Sequence, residues 1–297
     1  MKGIYTGIKR FAAHDGQGLR TTVFLKGCPL RCVWCHNPEG LSPRPQVSFF
    51  QELCIGCGGC AAVCKSGAVT GRGEARTVRP SLCRGCGACA ASCPVNARVL
   101  QGTVAEHQRL AQLLMQDKPF FDMGGGVTFS GGECMLQWEF LYHTAQLLRQ
   151  EGVGVDIDTC GHAPWEAFEA LLPLTDWFLY DFKAFDPEVH KQCTGVENGL
   201  IKENLERLSR AGASVEIRFP LVMGYNDSQL AKTARYLSGL RIEKVKILPF
   251  HDYSHSKYEA LGMEDALPSH DSVPTRQDLC RAASAFEQHG IRAEVSG

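Results

Sequence analysis

Two rhythms alternate along this chain. Short runs rich in Val, Ile, Phe and Thr, with apolar residues two apart, predict strands at 20–27, 126–131, 153–159, 177–182, 214–222 and 244–250. Stretches whose apolar residues recur every three to four positions predict helices at 104–117, 135–151, 164–173, 198–211, 228–239 and 275–289. A last short strand at 291–296 pairs at an edge. Strand and helix follow each other six times, which implies an α/β fold with a parallel sheet. Six units are too few for the eight-fold barrel. Residues 50–100 break the rhythm and read as an inserted subdomain, leaving 1–49 and 101–297 as the core. Residues 263–274, rich in Pro, Ser and Asp, read as a loop.

A length of 297 residues with 44% hydrophobic content allows one large domain with an insertion, or two domains. The charge balance, 31 basic against 32 acidic residues, offers no overall basic field for nucleic acid or an anionic membrane. No apolar run approaches the ~18 residues that span a bilayer. The first residues, MKGIYTGIKRFAAHDG, carry no apolar signal core, so a cytoplasmic protein is expected. Fifteen cysteines then call for metal or redox chemistry, because disulfides are disfavoured in that compartment.

Eleven of the fifteen lie in three clusters. Two of these read C-x2-C-x2-C-x3-C: Cys54, Cys57, Cys60 and Cys64, then Cys83, Cys86, Cys89 and Cys93 followed by Pro94. This is the spacing of bacterial two-cluster ferredoxins, in which the last cysteine of each run ligates the other run's cluster. Cys54, Cys57, Cys60 and Cys93 are therefore assigned to one [4Fe–4S] cluster, and Cys83, Cys86, Cys89 and Cys64 to a second. A pair of zinc ribbons would place a longer loop between two C-x2-C knuckles. The two clusters serve as an electron relay or as structural centres.

The third cluster, CPLRCVWCHNPEG (28–40), offers only Cys28, Cys32 and Cys35. It follows a strand, where α/β barrels carry their chemistry. Three thiolates leave one iron of a [4Fe–4S] cluster open to a substrate, unless a distant cysteine such as Cys134 or Cys160 closes the set. Downstream, the glycines of Ser130-Gly131-Gly132-Glu133 permit close backbone approach to a ligand. Asp181 and Lys183 lie two apart on a strand and share a face, as an acid–base pair or as an ion pair. Arg218 suits carboxylate recognition, and equally a structural ion pair.

C-x3-C-x-aromatic-C, with Trp34 as the aromatic, resembles the signature of the radical S-adenosylmethionine (radical SAM) superfamily. Further motifs are similar, in order, to one branch, the glycyl-radical enzyme activating enzymes: HDGQGLRTTVFLKGCPLRCVWCHNPEG (14–40), GGGVTFSGGE (124–133), LYDFKAFDPEVHKQCTG (179–195), IRFPLVMGYND (217–227) and ILPFHDYSHSKYEALG (247–262). The resemblance covers nearly the whole chain. It implies a partial (β/α)6 TIM-like barrel with a bacterial-ferredoxin-like insertion, and three [4Fe–4S] clusters. The open iron on Cys28, Cys32 and Cys35 would chelate S-adenosylmethionine. Ser130, Gly131, Gly132 and Glu133 would hold its amino group. Asp158, Thr159, Asp181, Lys183, Arg218, His251 and Trp34 would line the rest of its site, with a monovalent cation beside Asp158 and Asp181. HDGQGLR would lie at the site's mouth, and His36 would not ligate iron.

The implied activity is that of an oxidoreductase, a monomeric activase. One electron, from a donor such as flavodoxin or ferredoxin, would cleave S-adenosylmethionine, and the resulting radical would take hydrogen from a glycine of a partner glycyl-radical enzyme. The rivals are a ferredoxin-type electron carrier, a radical SAM enzyme for a small molecule or peptide, and a zinc-binding interaction protein. Two departures stand out. Gln17 replaces the usual Pro of H-D-G-P-G, and Cys134, read as a small buried hydrophobe, follows G-G-E where Pro is common.

Overall fold

Alternation along each strand decides how the chain is layered. In a computed structural model describing residues 1–71, 77–121, 124–267 and 270–296, two N-terminal strands come first, β1 (Lys2–Ala12) and β2 (Arg20–Leu25). Small elements fill the next stretch: β3 (Gln46–Phe49), α1 (Gly59–Ala62), β4 (Val69–Thr70), β5 (Thr77–Val78), α2 (Ala88–Ala91) and β6 (Arg98–Gln101). Edge strand β7 (Thr103–Glu106) and α3 (His107–Met115) lead back to the core. There follow β8 (Gly126–Gly131), α4 (Trp138–Gln150), β9 (Gly154–Thr159), α5 (Trp165–Leu171), β10 (Trp177–Asp181), α6 (Pro187–Thr194) and α7 (Gly199–Arg210). The chain ends with β11 (Val215–Leu221), α8 (Leu230–Leu237), β12 (Lys244–Pro249), α9 (His255–Leu261), α10 (Arg276–Glu287) and β13 (Ala293–Val295).

The nine-stranded sheet runs β13-β12-β11-β10-β9-β8-β2-β1-β7. From β2 to β13 every pairing is parallel, while β1 pairs antiparallel with β2 and β7. The six parallel strands from β2 to β12, each followed by a helix, form the open, partial barrel of the α/β fold. Outward residues such as Val127, Phe129, Ile157, Ile217 and Phe219 are fully buried against the helices. Their inward neighbours Thr128, Ser130, Asp158 and Arg218 are polar. This division comes directly from the period of two.

The helices follow their own spacing. In α8 the buried residues are Leu230, Thr233, Ala234 and Leu237, one stripe at i, i+3, i+4 and i+7. Helix α10 opens with a capping box: the Thr275 hydroxyl accepts from the Asp278 amide, and the Asp278 carboxylate accepts from the Thr275 amide. Outside the 50–100 insertion, β1, β3, α6 and α9 had no counterpart in the sequence reading, and strand β7 takes the first residues of the helix expected at 104–117. The 263–274 loop contains a single 3-10 turn at His270–Ser272, and residues 268–269 lie outside the described residues.

The ferredoxin-like excursion has a neck, the antiparallel pair β3–β6, in which Phe49 faces Arg98. Cys54, Cys57, Cys60 and Cys93 line one small cavity within it, three from the first run and one from the second. Cys89 lies within electrostatic reach of Cys83 and Cys64. Both groupings follow the crossed pattern expected from the spacing. No helix among the described residues is long and apolar enough to cross a membrane.

Candidate functional site

The Cys28 loop leaves the C-terminal end of β2, and its backbone is tied down on every side. Gly27 N donates to Gly40 O (2.7 Å) and Cys28 N to Leu41 O (3.2 Å). Arg31 N and Val33 N donate to the carbonyls of Thr194 and Cys193 at the end of α6. Helix α9 holds the far side: the Tyr258 hydroxyl donates to Cys35 O (3.0 Å), and the Lys257 ammonium reaches His36 O, Asn37 Oδ1 and Glu39 Oε1 at 2.9–3.1 Å. With the backbone so engaged, the three thiols face a cavity of about 580 Å³. Burial pushes Cys28 up to about 12, and the neighbouring Glu133, Cys32 and Cys35 add to the effect. Burial lifts Cys32 to about 12 as well, against the pull of Lys183. Three thiols that would repel one another once ionised call for a cationic centre to hold them as thiolates. Among the described residues no group of three ligating side chains closes around a single metal ion.

The cavity gathers eleven further positions implied by the sequence and its resemblance, all but one of them in its lining. Trp34, Ser130, Gly131, Gly132, Asp158, Thr159, Asp181, Lys183, Arg218 and His251 line it. Glu133 does not. Its carboxylate turns inward, fully buried, and accepts from the Thr159 hydroxyl (2.7 Å), the Cys160 amide (2.6 Å) and the Met135 amide (3.0 Å). It pins the loop after β8 to the loop after β9. Cys160 takes a place in the lining instead, unlike Cys134, which is wholly buried.

The two glycines answer to backbone rather than only to a ligand. A Cβ on Gly132 would lie 2.5 Å from Gly27 O and 2.6 Å from Gly40 O. Gly131 sits at φ +128° with Leu25 O beside it. The SGGE segment therefore packs against both ends of the cysteine loop.

Charges in the wall are paired. The Ser130 hydroxyl donates to Asp158 Oδ2 (2.7 Å), which also faces Arg218 Nη1 (3.4 Å). Burial raises the Asp158 carboxyl to about 6, with Arg218 opposing and Asp181 adding to the rise. Lys183 donates to Asp181 Oδ2 at 2.6 Å. Burial works against the Lys183 ammonium, yet the Asp181 charge outweighs it and the lysine titrates above its ordinary range. At the rim His36 stacks on His251, centroids 4.0 Å apart and 10° from parallel, and its Nε2 lies 2.7 Å from His251 O. His36 is thus engaged away from the thiols.

The HDGQGLR motif reaches the cavity through its first two residues. Arg218 Nη2 and Lys246 Nζ both donate to His14 O, at 2.9 and 3.1 Å, so this loop crosses the lumen from β2 to β11 and β12. His14 and Asp15 line the cavity from the side opposite the cysteine loop. Beneath them the buried Arg20 bonds the Thr128 hydroxyl and Val127 O and pairs with Asp156 (3.2 Å). Burial lifts the Asp156 carboxyl to about 7, with Arg20 opposing and Asp176 adding to the rise.

Lys257, Tyr258 and the His14 carbonyl were absent from the sequence reading, and Cys160 entered it only as a possible fourth ligand. Their roles come from backbone carbonyls and long-range packing, which leave no local pattern.

Known proteins decide the family. The radical SAM superfamily profile matches residues 83–237, and a 4Fe-4S dicluster domain matches 53–97. A trans-4-hydroxy-L-proline dehydratase activating enzyme of Clostridioides difficile is 38% identical, with both chains covered in full. A choline trimethylamine-lyase activating enzyme of Oleidesulfovibrio alaskensis is 38% identical over 99% of this chain and 98% of its own. A benzylsuccinate synthase activating enzyme of Thauera aromatica is 36% identical over 99% and 95%. The chain belongs to the radical SAM glycyl-radical enzyme activating enzymes. A solved domain of a pyruvate-formate lyase-activating enzyme from Bacteroides vulgatus aligns with this activase at TM-score 0.50 and 29% identity, covering 59% of this chain and all of that one. QueE from Escherichia coli shares the activase's fold, at TM-score 0.50 and 12% identity over 100% of this chain and 94% of its own. The superfamily match begins at residue 83, so the Cys28 loop of the activase stands apart from it, on the far side of the dicluster segment.

Proposed function

We propose that this activase holds one [4Fe–4S] cluster on Cys28, Cys32 and Cys35, binds S-adenosylmethionine against it, and directs the reaction to a backbone glycine of a partner glycyl-radical enzyme. The single observation that carries this reading is the convergence of the three thiols and a wall of paired charges on one cavity. When bound, the cluster supplies the electron that cleaves S-adenosylmethionine to methionine and a 5′-deoxyadenosyl radical, which takes the glycine Cα hydrogen.

The chain's own residues bind and orient. The carbonyls of Ser130, Gly131 and Gly132 would receive the ammonium group of S-adenosylmethionine. Arg218 offers a guanidinium to a carboxylate, and His251 and Trp34 offer ring faces to a base. Asp158 and Asp181 are the place for a monovalent cation. Thr159, already held by Glu133, and Lys183, held by Asp181, keep the wall rigid. The buried aromatic side of the cavity, Trp34 with Phe250, keeps water from the reacting atoms.

The two ferredoxin-type clusters, three clusters in all, form the relay inward. Residues 50–100 form the inserted unit, with six basic against two acidic residues in a chain whose net charge is −1. That local positive balance fits an acidic electron-transfer protein, such as a flavodoxin or a ferredoxin. The activase works as a cytoplasmic monomer. Its partner belongs among the enzymes named in its relatives, with trans-4-hydroxy-L-proline dehydratase and choline trimethylamine-lyase the first to try.

Anaerobic reconstitution, reduction by dithionite and addition of S-adenosylmethionine should yield 5′-deoxyadenosine. Cys32→Ala, with the ferredoxin-type cysteines intact, should yield none. A protein loaded with about twelve irons whose EPR signal ignores S-adenosylmethionine would sink the reading and leave an electron carrier in its place.

A further inference from the structure

The doubled cysteine motif is symmetric in backbone but not in charge. Each run ends in a cysteine followed by five residues of the same shape: Lys65-Ser66-Gly67-Ala68-Val69 after Cys64, and Pro94-Val95-Asn96-Ala97-Arg98 after Cys93. Gly67 and Asn96 both take a left-handed conformation, φ +65° and +53°. Ala68 and Ala97 are both buried, and so are the residues that follow them. One of those is Val69, packed with Cys60 and Cys89 in a small apolar cluster. The other is Arg98, 2% exposed.

A buried guanidinium needs partners, since removing its charge from water without compensation is costly. Nε, Nη1 and Nη2 of Arg98 are all buried, and none has a hydrogen-bond partner among the described residues. Its charge centre lies 4.4 Å over the Phe49 ring, which covers one face of the fork and leaves its edges free. The side chain lines the small cavity formed with Cys54, Cys57, Cys60 and Cys93. An orphaned cation beside four thiols fits an anionic iron–sulfur cluster, which gains a further negative charge on reduction.

We propose that Arg98 is the counter-charge of the cluster held by Cys54, Cys57, Cys60 and Cys93, and that it sets this cluster's reduction potential above that of its sister. Nearby charge and hydrogen bonds to sulfur are among the levers that set such potentials, as is solvent exposure. Exposure is matched between the halves: Cys57 and Cys86 are both exposed, and Cys60 and Cys89 both buried. Two other charge differences, Arg84 against Ile55 and Lys65 against Pro94, are exposed and screened by water, which leaves one buried difference, a guanidinium on one side and an isopropyl group on the other. The Arg98 charge also reaches Cys89, so its removal should move the sister cluster in the same direction. An electron entering the pair settles on the Arg98 side first.

The inference rests on the two-cluster assignment above, but its readout involves no S-adenosylmethionine. Its failure would leave the reading of the main cavity standing, and failure of cofactor cleavage would leave Arg98 untouched. EPR-monitored redox titration is the test, on full-length protein reconstituted anaerobically. Cys86→Ala and Cys57→Ala each remove one ferredoxin-type cluster. The cluster that survives in Cys86→Ala should titrate at the higher potential. Arg98→Met in that background should then lower it by at least a tenfold change in the reduced-to-oxidised ratio, about 59 mV for one electron. The Cys28-loop cluster should stay where it was. Equal potentials in the two single-cluster proteins, or a loaded Arg98→Met protein with an unmoved potential, would overturn the proposal. Should Arg98→Met fail to load, the single-cluster comparison decides alone.

Discussion

Asp158 is engaged from two sides, by Ser130 and by Arg218, and still faces the cavity. Its raised titration gives a signed prediction. In the folded protein the carboxyl keeps its proton up to about pH 6, whereas in an unfolded chain it releases it near pH 3.9. Its contribution to stability is therefore full below about pH 4 and is lost as pH rises through 6. Binding of cationic S-adenosylmethionine runs the other way, gaining as the carboxylate forms. Calorimetry on cluster-loaded protein between pH 5.5 and 8 should show affinity rising with a midpoint near 6. Asp158→Asn should flatten that rise and weaken binding at pH 7.5 roughly tenfold, the worth of one charge-assisted contact. A flat profile in the wild type would remove Asp158 from the binding account. The sequence named Asp158 because it ends a strand in a familiar motif. It named Glu133 on the same grounds, yet Glu133 looks away from the cavity. A motif marks residues that matter without telling a contact from a brace, because the brace depends on which backbone amides fold back to meet it.

Strands and helices with strong periods were legible, and the weakly patterned ones were not. The six barrel strands and their helices lie where alternation put them, within a few residues. Strand β1 escaped because Gly7 and charged residues interrupt its alternation. Helix α6 was legible in principle: Asp186 caps it, Pro187 opens it and Gly195 closes it at φ +80°. Its apolar stripe is only Val189 and Cys193, too few to show a helical period. The contact between the loop after β8 and the cysteine loop was invisible, since it is backbone on backbone. Gly132→Ala tests that contact. A methyl between Gly27 O and Gly40 O has nowhere to go, and should cost about 1–3 kcal/mol by thermal melting, together with measurable loss of iron from the Cys28 loop. Unchanged melting and full iron content would mean that the loop yields freely.

At the scale of the molecule, the chain joins an acidic barrel, with 25 basic against 30 acidic residues, to a basic insert, and net charge alone concealed this. A balance of −1 argued against nucleic acid and an anionic membrane as partners, while residues 50–100 carry a local excess of base. The barrel opens its polar lumen at the strand ends, and the thiols, the paired charges and the histidine stack meet there. The fold class and most of this wall could be read from spacing and resemblance. The HDGQGLR loop could not, because its path across the lumen depends on carbonyls that any residue supplies. The central claim is that the radical formed in this cavity takes its hydrogen from a glycine of another protein. The most direct measurement uses a partner glycyl-radical enzyme labelled with deuterium at glycine Cα. It is mixed anaerobically with reduced activase and S-adenosylmethionine, and the 5′-deoxyadenosine is read by mass spectrometry alongside the EPR spectrum. The account predicts deuterium in 5′-deoxyadenosine and a glycyl radical on the partner. Unlabelled 5′-deoxyadenosine with no glycyl signal, across the enzymes named in the relatives, would contradict it.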